Sequence, residues 1–129
     1  MADYTVRNLK DVHDSAPDHG MAPMVEARFG GPELGAEQTG FSYQRFAPGY
    51  EQSFAHRHGD VEELYLVLSG GGRAHLDGET VDLRPLDVVR CAPHVVRSFA
   101  AGPDGLELLA FGPHGDMANA EMLPPVWGA

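Results

Sequence analysis

His56 and His58 stand two residues apart, and Glu63 follows five residues later. On an extended strand alternate side chains share a face, so both imidazoles point the same way, about 6.5 Å apart along the chain. A turn at Gly59-Asp60 would bring the chain back and set Glu63 beside them. Two imidazoles and one carboxylate meeting at a point suit a divalent metal ion, without distinguishing iron, manganese, nickel, zinc or copper. Gln52 and Phe54 share the parity of His56 and are expected on the same wall. Tyr65 shares the parity of Glu63, so it is expected to point inward, either filling the core or touching a bound molecule.

Holding these groups in place requires strands. Sixteen glycines and ten prolines cut the chain into short pieces, with no long stretch of helical period. Extended segments are predicted over 24–29, 40–47, 51–58, 62–68, 73–77, 80–84, 87–91, 95–100 and 106–111. Asp77-Gly78-Glu79 reads as a hairpin connection, and Gly70 is expected to close the strand that Glu63 opens. Many short strands between closely spaced turns predict an all-β sandwich or barrel. Residues 1–23 read as an N-terminal arm, 24–113 as the barrel and 114–129 as a tail. In the arm His13 and His19 are expected to be solvated. In the tail His114 is expected in a loop, residues 117–122 in a helical turn, and Trp127 as a lid or subunit-packing residue.

Two segments leave their faces open. In 41–46 either parity carries an aromatic ring, which keeps Tyr43 as a candidate contact to a bound molecule. In 63–68 Glu63, Tyr65 and Val67 alternate with Leu64, Leu66 and Leu68, so both faces require burial. The leucine face is expected to be covered by another sheet or by a second copy of the chain, giving a homodimer.

Composition narrows the function classes. The 129 residues fit one domain with a hydrophobic core. Nineteen acidic residues against nine basic ones give a net charge of −10, which argues against nucleic acid and anionic membrane surfaces as partners. Cys91 is the only cysteine, so no intrachain disulfide forms; its strand context reads as a small core residue. The N-terminus shows no basic region followed by an apolar stretch, and no apolar run is long enough to span a membrane; the expected location is the cytoplasm.

The stretch 49–70 resembles the first motif of the cupin superfamily, with Gly49, His56, His58, Glu63 and Gly70 in its fixed positions. The spacer from Gly49 to His56 is six residues, one longer than usual. The stretch 86–101 matches the length and strand pattern of the second motif, but its chemistry departs. Leu86 and His94 take glycine positions, Ala92 a proline position and Ala101 an asparagine position, while Arg97 stands where the family places a histidine ligand. The resemblance, over roughly 41–112, implies a double-stranded β-helix (jelly-roll) barrel. It also implies a pocket for a small molecule and, commonly, a divalent metal.

A guanidinium has no lone pair to offer a metal. Three arrangements follow. His56, His58 and Glu63 hold the metal while Arg97 binds an anionic group of a small organic ligand; or His94 reaches in as a fourth ligand; or there is no metal, and Arg97 pairs with Glu63 inside a binding protein that performs no catalysis. In the first case the chain is a metal-dependent enzyme of a type the sequence does not specify.

Overall fold

The computed structural model describes residues 3–113 and 120–128. Among them eight strands form one curled sheet: β1 (Val25–Phe29), β2 (Thr39–Phe46), β3 (Ala55–Arg57), β4 (Glu63–Leu76), β5 (Glu79–Leu83), β6 (Val88–Cys91), β7 (Arg97–Pro113) and β8 (Glu121–Leu123). The sheet runs β1-β2-β7-β3-β8, and β4 pairs with β5, β6 and β7. This is the jelly-roll barrel that the sequence implies.

The long strands β4 and β7 form the spine, antiparallel from Leu64↔Phe111 to Leu76↔Arg97. Each joins two segments expected to be separate strands. Gly70 does not end its strand; the ladder continues through register shifts at Val67/Ser69 and Gly70/Gly72. The triple glycine allows this, because a Cβ on Gly70 would lie 2.1 Å from the Gly105 carbonyl oxygen. Bulges of this kind bend a strand sharply without releasing it from the sheet. The hairpin after β4 forms as expected, with Asp77 and Gly78 both at positive φ (49° and 90°), a two-residue connection of type I′ character.

Burial on β4 alternates. Glu63, Tyr65 and Val67 face the interior, where Phe46, Phe99 and Leu108 also pack. Leu64 and Leu68 stay 40% and 39% exposed, so no second sheet among the described residues covers the leucine face.

The N-terminal segment is docked rather than free. Val12 and Ala16 are fully buried, and the Asp14 carboxylate accepts from the backbone N–H groups of Ala16 and Ala27. At the other end, residues 121–123 form strand β8 against β3 where a helical turn was expected; 117–119 and His114 lie outside the described residues. Trp127 donates from its indole nitrogen to Ser98 Oγ at 2.9 Å beneath the Arg73 guanidinium, fastening the tail to the barrel wall.

One buried carboxylate ties the arm to the sheet. Glu26 accepts from Lys10 Nζ (2.6 Å), Arg28 Nε (2.6 Å) and Arg45 Nε (2.9 Å). Burial pushes its pKa up, but these three cations outweigh burial and bring it down to about 2. Because the folded pKa lies below the unfolded one, this stabilisation is present above the ordinary carboxylate range and is lost as pH falls toward 2. Glu26→Gln is expected to cost about 2–4 kcal/mol at neutral pH. Its deficit relative to wild type should shrink in acid, as chemical denaturation at neutral and acidic pH would show.

Candidate metal centre

Strand alternation and one turn assemble the site. His56 lies on β3, His58 just beyond its end, and Glu63 opens β4 after the turn. The two imidazole rings meet edge to face, with centroids 5.2 Å apart. His58 Nε2 lies 3.0 Å and His56 Nε2 3.6 Å from Glu63 Oε1. The candidate ligand atoms of all three residues lie within 4.8 Å of one another. His58 and Glu63 are buried, and His56 is half-buried.

Tyr65, two residues along the same strand face, donates its hydroxyl to Glu63 Oε1 at 2.5 Å. Burial pushes the Glu63 pKa up, but hydrogen bonds from His56 and Tyr65 and the charge of both histidines bring it down to about 2. Burial and the Glu63 charge push the Tyr65 phenol well above its ordinary value, so Tyr65 remains a hydroxyl donor. The carboxylate is therefore ionised and oriented. His56 Nδ1 and His58 Nδ1 are buried without a hydrogen-bond partner among the described residues, and His58 Nε2, though 3.0 Å from Glu63 Oε1, is not directed to form a hydrogen bond with it. Nitrogen lone pairs left in this way beside a fixed carboxylate fit a divalent metal.

The remaining candidates separate. His94 sits exposed in the turn between β6 and β7, outside the ligand group. The turn itself, closed by Val95 N–H to the Ala92 carbonyl, turns it outward, and the Pro93 carbonyl instead accepts the His58 backbone N–H at 2.8 Å. Arg97 is fully buried and is the strand partner of His56. It does not pair with Glu63, whose ionic partners are the two histidines. Its Nη2 donates to the Ala92 carbonyl at 3.2 Å, and the guanidinium lies against the buried Cys91 thiol. Burial pushes that thiol pKa up while Arg97 draws it down. Tyr43 faces away from the site, donating to Glu107 under Lys10, because the inward parity of β2 is that of Ser42, Gln44 and Phe46.

A cavity of about 500 Å³ adjoins the triad and is lined in part by His56, Glu63 and Tyr65. Gln52 and Phe54 stand on its wall, as their parity with His56 requires. Ser15, His19 and Met21 from the arm and Ala120 and Met122 beside β8 complete it. His19, expected to be merely solvated, is exposed yet contributes to this lining. No signal in the polar, turn-rich arm reveals that role, since the segment has no strand period to assign it a face.

The fold and site together define a class, a curled β-barrel whose inward histidine pair and carboxylate could hold a metal ion. The model of the cupin domain matches residues 42–111, and the chain belongs to the cupin family. No curated protein matches the sequence. Among solved structures it is similar to a cupin protein from Bacteroides fragilis, with 24% identity over 89% of this chain and 88% of that one, TM-score 0.72. It is also similar to a putative sugar phosphate isomerase from Acidithiobacillus ferrooxidans, with 26% identity over 70% and 59%, TM-score 0.63. A third is salicylate 1,2-dioxygenase from Pseudoaminobacter salicylatoxidans with gentisate adducts, at 20% identity over 83% and 32%, TM-score 0.67. The chain thus spans less than two thirds of the isomerase and dioxygenase chains.

The strand pairing of Arg97 with His56 generates a test. A complete four-ligand zinc site is worth about 10–16 kcal/mol, so Arg97→His is expected to raise zinc affinity roughly tenfold or more. Competition against a chromophoric chelator would measure it. Unchanged affinity would mean that an imidazole at this position does not reach the metal.

Proposed function

We propose that this chain is a small-metabolite cupin that holds one divalent metal through His56, His58 and Glu63 and acts on an organic molecule bound in the adjoining cavity. The observation that carries this reading is the convergence of unpartnered, buried imidazole nitrogens on an ionised carboxylate. When bound, such a metal supplies a Lewis acid or oxygen-binding centre with open coordination positions. The chain's own residues prepare that place. Tyr65 fixes the Glu63 carboxylate, the Pro93 carbonyl anchors the His58 backbone, and Phe54 stands beside His56 with ring centroids 6.4 Å apart. Similarity to a putative isomerase and to a dioxygenase supports an enzyme of small organic molecules without selecting one reaction. The metal-free alternative relied on a Glu63–Arg97 pair, which does not form.

Purified protein is expected to carry about one equivalent of a first-row divalent metal, a stoichiometry of one per two-histidine, one-carboxylate site. Elemental analysis of wild type and of the His56→Ala, His58→Ala double variant checks this. Loss of the metal in the variant supports the centre, and a metal-free wild type that takes up none on reconstitution refutes it.

The same proposal includes a homodimer, in which the exposed Leu64 and Leu68, flanked by Val88 at 59% exposure, meet a second copy. Light scattering at micromolar concentration is expected to give twice the chain mass, falling to the chain mass in Leu64→Asp, Leu68→Asp. A monomeric wild type would contradict it.

A further inference from the structure

The cavity wall carries no lysine or arginine. The chain has nine such residues, and eight of them pair with carboxylates away from the cavity lining. The ninth, Arg97, is fully buried and does not line the cavity, so it offers a bound molecule no direct ion pair. The acid–base groups that do line the space are the exposed His19 imidazole on the arm and, at the metal centre, His56 and the Glu63 carboxylate with the Tyr65 phenol beside it, and the chain as a whole carries −10. Polar contacts away from the centre come from neutral side chains such as Ser42, Gln44 and Gln52. Most of the wall is apolar, with Phe29, Phe46, Tyr50 and Phe54 supplying rings and Met21 and Met122 adaptable thioethers.

We propose, building on the metal-centre reading above, that the cavity takes an uncharged, largely aromatic molecule whose oxygen-bearing end points toward His56 and Glu63. Three observations converge. A carboxylate lodged against the ring- and thioether-rich wall would find no lysine or arginine there, His19 on the arm being exposed and apart from it, which disfavours anions. Rings and thioethers favour aromatic guests through edge and face contacts; Phe46 and Tyr50 already stand 5.7 Å apart, centroid to centroid. The volume of about 500 Å³ lies in the range of pockets that enclose one- or two-ring molecules. The selectivity differs from that expected of Arg97 as an anion receptor. It also differs from the carboxylated gentisate carried by the similar dioxygenase.

The test uses two probes with the same diol head and different tails, 4-methylcatechol and 3,4-dihydroxybenzoate. Titration calorimetry on metal-loaded wild type at neutral pH is expected to give at least tenfold tighter binding of 4-methylcatechol. Gln44→Arg, which places a cation on the wall, should bring the two within about threefold, with Ser42→Lys as a second route if the first variant fails to fold. Equal or tighter binding of the carboxylate to wild type overturns the inference, as does binding of neither probe to protein that carries its metal. Metal content measured on the same samples reports on the centre separately. Protein that holds no metal yet keeps the preference for 4-methylcatechol refutes the metal reading and supports the uncharged-ligand cavity.

Discussion

The antiparallel pairing of β4 with β7 is the constraint on which the rest of the molecule depends. It is a bent pairing, and the bend makes the barrel. Phe99 is the ladder partner of Ala74, yet its ring packs against Tyr65, nine residues back along β4, with centroids 4.7 Å apart. Two strands that curl far enough to touch themselves enclose an interior. The bulges at the triple glycine permit that curl while the ladder on either side stays intact. Glu63 and Tyr65 then face inward because strand parity leaves them no other choice.

Inside this enclosure the site is an ordered arrangement of charge in a medium that punishes disorder. Glu63 could not remain ionised there by itself. The histidines and the Tyr65 hydroxyl hold it so, and the carboxylate in return keeps the phenol protonated. The Glu63 carboxylate and the Tyr65 hydroxyl are thereby fixed in charge and orientation. Arg97 shows the opposite treatment. Its cation is buried beside a neutral thiol and one carbonyl, and its Nε and Nη1 find no partner among the described residues.

Much of this was legible in the sequence because it follows from parity and spacing. The period of two aligned His56 with His58, and Gly59-Asp60 returned Glu63 to them. Asp77-Gly78 announced its turn because few residues tolerate positive φ. The failures also have physical causes. Gly70 reads locally as a strand end, and only long-range pairing with Gly105 and Leu106 turns it into a bend. Residues 41–46 carry aromatic rings on both parities, so no local rule could put Ser42, Gln44 and Phe46 inside and Tyr43 outside. The slot of Arg97 was readable, but a long guanidinium stem can lay its head in several places. Its turn away from the cavity is a packing outcome. The arm's contribution was invisible for the same reason, since burial of Val12 and Ala16 against the sheet leaves no periodic trace.

The cavity draws its wall from two kinds of chain. The end with His56, Glu63 and Tyr65 belongs to the barrel matched by the family model, whereas Ser15, His19, Met21, Ala120 and Met122 come from segments flanking that match. These segments are held by the Glu26 cluster on one side and, on the other, by the pairing of β8 with β3 and the Trp127 clamp onto Ser98 of β7. Their side chains shape the cavity wall, and Met122 does so as the strand partner of His56. The shape of the cavity is thus written partly in the flanks, whereas the three residues that could hold a metal belong to the barrel itself.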